Sequence, residues 1–162
     1  MYSYTREPPM TTEFADFVAQ QDARNTIELN ITKHCWELCD RLKENYIEYS
    51  KKMITRFCDL EGGLSPYHKE KLAMLNRGKC DYEFELDSSG RKYHKIWEVI
   101  ENENRGPSRS CHAFINKKTG EVFKPASYKA PAKIARYNLL SIESREACFN
   151  NADWAGSYLY IR

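Results

Sequence analysis

The sequence predicts an α+β fold: N-terminal helices, one of them long, packed with an antiparallel β-meander and short C-terminal helices. Three observations carry this expectation. Apolar residues recur at steps of three and four from Ile27 to Phe57, the period of a helix. After Lys79 the period becomes two, with Tyr82, Phe84 and Leu86 alternating with Asp81, Glu83 and Glu85 as in a half-buried strand. Turn-forming clusters then cut residues 81–124 into strand-length pieces. A chain of 162 residues and 19.0 kDa fits one compact domain. It divides into a flexible tail over 1–10, a helical region over 11–78, and a sheet with a basic loop and C-terminal helix over 79–162.

Pro8 and Pro9 block regular structure in the tail. Thr12 caps a short helix carrying Phe14, Phe17 and Val18. Asn25 and Glu28 form a capping-box-like start for the long helix. Its stripe runs through Ile27, Ile31, Cys35, Leu38, Leu42, Tyr46, Tyr49, Met53 and Phe57, and Gly62 and Gly63 end it. Glu37 with Arg41 and Glu48 with Lys52 are favourable i,i+4 pairs on its outer side. A helix this long either packs along the whole body or pairs with a second copy, a seam that requires Trp36, Ile47 and Ile54 to stay exposed. Ser65 and Pro66 restart a helix that Gly78 terminates, with Leu72 and Leu75 as its apolar contacts.

The first strand starts near Asp81. The turn Asp87-Ser88-Ser89-Gly90 leads to a second strand through Tyr93, Lys95, Trp97 and Val99, and a polar loop covers Glu101 to Pro107. Strand three spans Ser110 to Asn116, Lys117 to Gly120 turn, and strand four spans Glu121 to Lys124. A short helix follows Pro131, another runs from Ile142 to Phe149, and Tyr158 to Ile161 add a last strand. The stretch from Asn151 to Gly156 reads as a turn pinned by Trp154.

Composition removes several classes. An aromatic content of 13% argues against disorder. The longest apolar runs are a few residues, too short to span a membrane. The start MYSYTREPPM has no apolar signal core, so a cytoplasmic location is expected. In that compartment the six cysteines at 35, 39, 58, 80, 111 and 148 are expected as reduced thiols. Cys35 and Cys39 share a helix face, but no CxxC or finger-type histidine spacing accompanies them, so core packing is expected in place of zinc.

Charge is the strongest functional signal. From Arg105 to Arg136 eight cations face Glu121 alone, a net of +7 in a chain whose total is +2. Such asymmetry favours an anionic partner. Within it, Lys124, Ser127, Lys129 and Lys133 stand close together among small residues, and a helix starting at Pro131 would aim free N–H groups at the same place. An ordinary solvated crossover has the same composition, and no P-loop or GxGxxG is present. Tyr128, Tyr137, Trp97 and Phe123 are candidates to stack a base beside the cations, or else core residues. His112 and His94 lie on strands, His112 opposite in phase to Cys111 and Ala113. Neither belongs to a recognisable catalytic set, so no catalytic residue and no cofactor is assigned. Asp81, Glu83 and Glu85 share a strand face and read as a solvated acidic surface. The candidate ligand-binding residues are Lys124, Ser127, Tyr128, Lys129, Lys133, Arg136, Arg109, His112 and Trp97.

The run from His112 to Leu140 carries a strand through Ile115, the turn Lys117–Gly120, Val122, then Lys124 to Ser127, Tyr128 to Lys133, and Arg136 to Leu139. This order resembles a segment of small uncharacterised proteins of tailed bacteriophages. The resemblance covers under a third of the chain and brings no residue roles. It implies a phage protein acting in an infected bacterial cytoplasm, where small phage proteins without catalytic motifs act by binding. The leading expectation is a non-enzymatic sponge that sequesters a signalling nucleotide of host antiviral defence, with a homo-oligomer among the forms open to it. Nucleic-acid binding, disfavoured by the small total charge, and inhibition of a host protein through the helical face are the alternatives.

Overall fold

The computed structural model describes residues 9–61, 63–102 and 104–160, with the side chains of 9–12 and 57–61 outside that description. Residues 1–8 of the expected tail also lie outside it. The element order is α1 (Pro9–Glu61), α2 (Pro66–Asn76), β1 (Tyr82–Asp87), β2 (Tyr93–Ile100), β3 (Ser108–Asn116), β4 (Glu121–Phe123), β5 (Tyr137–Asn138) and α3 (Ile142–Asn151), ending in a 3-10 turn at Ser157–Leu159. The fold class is α+β, as the two periodicities require.

Two expected helices are one. Between Met10 and Glu61 the sequence has neither proline nor glycine, so nothing breaks the backbone. Asn25 is an interior residue, because a capping residue permits a helix start without enforcing it. Pro9 stands in the first turn, where its missing N–H costs no bond. The resulting 53 residues extend about 80 Å. Only part of that length packs on the body. Ile31, Cys35, Leu38 and Leu42 are fully buried, whereas every residue from Glu13 to Asn30 is exposed. Of the expected stripe, Ile27 and Tyr49 remain exposed, while Ile54 on the flank is buried. Glu37 turns to His34 at 3.0 Å, and Arg41 lies over the Phe149 ring at 5.6 Å.

In α2 the Ser65 hydroxyl accepts from the His68 N–H, and Pro66 opens the first turn. Gly78, at φ +74°, donates to Leu75 O while Lys79 donates to Met74 O, a left-handed helix stop. The sheet is antiparallel throughout in the order β1-β2-β3-β4-β5. Its inner face presents Tyr82, Phe84, Ile96, Ala113 and Ile115 to α1. Val122, Leu139, Cys148 and Leu159 close the core from the far edge.

Two C-terminal expectations change. No helix follows Pro131. The Ala132 N–H bonds Lys124 O at 2.7 Å and the Arg136 N–H bonds Val122 O at 2.7 Å, so these residues track β4 and end in β5. Tyr158 and Leu159 lie in the 3-10 turn and form no strand; Ile161 is outside the described residues. The turn at Trp154 is as expected. Its N–H bonds Asn45 Oδ1 at 3.0 Å, and its ring packs against Tyr46, Tyr49 and Tyr82.

The division of α1 into anchored and free lengths sets opposite costs for similar changes. Leu38→Ala, in the fully buried seam, loses about 2–5 kcal/mol of stability in urea unfolding. Leu29→Ala, at 70% exposure, changes it by no more than about 0.5 kcal/mol. Equal losses would mean that the free length is also packed.

Candidate functional site

One extra residue in β3 organises the region around the basic loop. Trp97 pairs with Cys111 and Ile96 pairs with Ala113, so His112 is left over as a β-bulge. The alternation expected for His112 therefore fails: it is buried together with Ala113 and contacts inner-face side chains. Cys111 and Trp97 stay on the outer face. The bulge separates two arrangements, one polar and largely buried, the other aromatic and open, and a cleft at Cys111 and Lys124 borders on both.

On the inner side, Glu98 gathers three donors. His112 Nδ1 lies 2.7 Å from Oε1, while the Tyr82 hydroxyl and Ser110 Oγ reach Oε2 at 2.9 and 3.3 Å. Burial alone would raise the Glu98 pKa. The His112 bond and charge, with the Tyr82 and Ser110 bonds, outweigh it and hold the carboxyl below its ordinary value. His112 Nε2 meets the Tyr158 hydroxyl at 2.8 Å, and burial pushes that phenol far up, so it keeps its proton. Gly156, at φ +83°, lets the chain turn beside the imidazole, with its Cβ position 3.6 Å from His112 Cε1. Both ring nitrogens are engaged and the ring is buried. The histidine ties the C-terminal turn to the sheet and offers no free nitrogen to a reactant.

On the outer side, Trp97 is the centre. Tyr128 stacks on it with centroids 6.1 Å apart, and the Arg109 guanidinium and Lys95 ammonium lie 5.5 and 5.6 Å from its ring. Its indole N–H donates to Asp87, whose carboxyl is held at about 2, chiefly by hydrogen bonds from Ser89 and then from Trp97. Glu85 pairs with Arg109 at 3.1 Å, and Lys95 Nζ holds Tyr128 O at 2.8 Å. An open cleft of about 390 Å³ lies beside this group, lined by Ser110, Cys111, Pro125, Ala126, Ser127 and Tyr128. A second, of about 220 Å³, shares Cys111 and Pro125, adds Lys124, Gly156 and Tyr160, and is floored by Glu98 and His112 of the inner network. Burial pushes the Cys111 thiol to about 11, so the thiol between them is protonated and a poor nucleophile at neutral pH.

The expected residues are partly assembled. Trp97, Arg109 and Tyr128 come together. Ser127 lines the cleft, yet its hydroxyl already accepts the N–H groups of Lys129 and Ala130. Lys124 reaches the adjoining cleft with Nζ 3.9 Å from the Tyr160 centroid. Lys129 and Lys133 are exposed, and among the described residues neither they nor Lys124 has an ion pair. Arg136 faces elsewhere, donating to Leu159 O at 2.7 Å. Tyr137 stacks with Tyr158, and Phe123 contacts Tyr93, so both belong to packing. Lys95 and Tyr160 were missed. Lys95 is two residues from Trp97 on the same strand face, a spacing that sequence alone could have flagged; nothing local marked Tyr160. The acidic face is partly paired, with Glu83 on Lys43 at 2.7 Å as well as Glu85 on Arg109. Among the described residues no group of His, Cys, Asp and Glu is arranged to hold a metal, and no helix is long and apolar enough to cross a membrane.

The chain belongs to a family of unknown function (DUF7717), which it matches over residues 14–161. No curated protein and no solved structure matches it.

The sign of the Glu98 contribution is fixed by its lowered pKa. It is complete above the ordinary carboxylate value and disappears as pH falls through the folded-state value. Glu98→Gln should therefore lower stability at pH 7 and flatten the acid side of the stability profile below about pH 4.5. A variant as stable as the parent at pH 7, with an unchanged acid slope, would show that the ionised network contributes nothing.

Proposed function

We propose that this protein binds a nucleotide, or a related phosphorylated molecule with a flat ring, on the outer face around Trp97 and Tyr128, and holds it without turning it over. The observation that carries the reading is the bracketing of Trp97 by two cations and a loosely stacked tyrosine beside an open cleft. Such a platform attracts a base through its π-face and leaves the adjacent charge for phosphate. Lys124, Lys129 and Lys133, unpaired among the described residues, are the groups available to the phosphates. Lys95 and Arg109 serve the ring. His112 borders the Lys124 cleft with both ring nitrogens already bonded, to Glu98 and to the Tyr158 hydroxyl, so it contributes a wall and no free nitrogen.

The non-catalytic character of the proposal rests on side-chain chemistry. The buried imidazole has both nitrogens occupied, and the Cys111 thiol keeps its proton. The likeness of residues 112–140 to a segment of tailed-phage proteins extends the reading to sequestration of a host-defence signalling nucleotide in an infected bacterium. A second reading, single-stranded nucleic acid, is favoured by one observation: the cleft beside Tyr128 is wide open, and an open stacking face also accepts a strand.

The test is a thermal-shift and titration series against cyclic di- and trinucleotides, cyclic ADP-ribose products, NAD and short oligonucleotides. A ligand at 100 times its Kd stabilises by about 2.7 kcal/mol, readily seen as a raised Tm. Trp97→Ala should cost about 1–3 kcal/mol of affinity, and Lys124→Ala with Lys129→Ala should abolish binding while leaving the unliganded Tm unchanged. Steep loss of oligonucleotide affinity with salt would select the second reading. Absence of a shift with every compound would overturn both.

A further inference from the structure

The two clefts beside the bulge are halves of one trough. Cys111 and Pro125 line both, and Lys124 stands next to Pro125 at their junction. The half beside Tyr128 measures about 390 Å³ and the other about 220 Å³. A pocket that encloses a whole small ligand has roughly 300–1,000 Å³, so the smaller half suits one portion of a molecule whose remainder lies next door.

The floor and rim of the smaller half say which portion. Glu98 and His112 form part of the floor, and 16% of the Glu98 side chain is exposed. Among the described residues its Oε2 takes two donors, Tyr82 and Ser110, while Oε1 takes His112 alone. A carboxylate oxygen has two acceptor sites, so Oε1 has one left. Such a floor repels phosphate and accepts an N–H. At the rim Tyr160 is 63% exposed, with Lys124 Nζ 3.9 Å from its ring centroid. The backbone beneath it is firmly held: the Tyr160 N–H bonds Ser157 O, Arg136 bonds Leu159 O, and the Tyr137 hydroxyl bonds Tyr158 O. An aromatic ring is thus fixed in solvent beside a cation on this side of the trough, as Tyr128 is on the other, where Lys95 holds its carbonyl.

We infer that the trough is a two-ring site, and that the ligand of the proposed reading, on which this inference rests, is a dinucleotide. One base lies on Trp97 and Tyr128; the second lies against Tyr160 with an N–H edge turned to Glu98. The phosphates that join them sit at the junction, where Lys124 leaves the Tyr160 ring to meet them and the vacated face receives the base. Charge sets this orientation, because the reverse placement brings phosphate against the Glu98 carboxylate. A mononucleotide fills one half only.

The experiment is calorimetric titration of the full chain with cyclic di-GMP, cyclic di-AMP and NAD, each compared with its halves among GMP, AMP and NMN. At least one dinucleotide should bind tighter than either of its halves by about 10-fold or more. Tyr160→Ala and Ala155→Phe, both at exposed positions, strip or fill the smaller half alone. Each should weaken that dinucleotide by about 10-fold while changing the mononucleotide by less than about two-fold, with the unliganded Tm of both variants unchanged. Trp97→Ala should weaken both compounds. A dinucleotide no tighter than its halves, or one indifferent to both Tyr160→Ala and Ala155→Phe, overturns the two-ring site; the Trp97 reading then still stands if Trp97→Ala weakens the mononucleotide. Binding that ignores Trp97→Ala, or no binding of any of these compounds, overturns that reading and this inference with it.

Discussion

The extra residue in β3 is the constraint from which the arrangement around the basic loop follows. Without it, strict alternation would put His112 on the outer face opposite Trp97 and move Cys111 inward. With it, His112 and Ala113 both join the inner side, while Cys111 stays outside opposite Trp97. The buried imidazole then has a carboxylate on one nitrogen and a phenol on the other. Every buried side-chain nitrogen and oxygen among the described residues has a partner, so the polar core does not carry the penalty of a half-satisfied network. The same residue count aligns Trp97 with the loop that follows β4. A single insertion thus fixes both the attachment of the C-terminal turn and the composition of the outer platform.

The long helix obeys a different economy. Its middle supplies the seam on which the sheet closes, through Ile31, Cys35, Leu38 and Leu42. Burial pushes the Cys35 and Cys148 thiols up, the latter to about 12, so these cysteines behave as small apolar groups and add no reactive centre to the core. Its first third is held as a helix only by its own backbone. The two lengths differ in partners, not in propensity, which explains why a single uninterrupted element has both a rigid anchor and an unsupported extension.

Periodicity made most of the fold legible. The switch from 3.6 to 2 after Lys79, the Ser65-Pro66 start and the Gly78 stop fall where the physics of caps and strands puts them. Errors arose where a local signal was permissive. Asn25 and Glu28 look like a cap, yet no breaker precedes them, and the helix runs through. Pro131 can open a helix, but the carbonyls of Val122 and Lys124 offered better partners to Arg136 and Ala132. The site was legible as composition and less so as geometry. Charge counting marked the loop; it had no means of separating Lys124, which borders a cleft, from Arg136, which secures Leu159. The bulge was invisible, because residues 110–116 read as an unbroken strand, and only pairing with β2 reveals the surplus residue.

The loop itself has a further consequence. Pro125 and Pro131 face one another across its neck, the N–H groups of Ala126 and Ser127 converge on Ala130 O, and the Ser127 hydroxyl takes two more N–H groups. Few backbone torsions are left free to sample alternatives. The attachment points of Lys124, Lys129 and Lys133 are thereby fixed in separation, and only their side chains adjust. On the proposed reading, selection by such an array would follow how far apart an anion's charges lie more than how many it bears, so two anions of equal charge but different reach would not be equivalent to it.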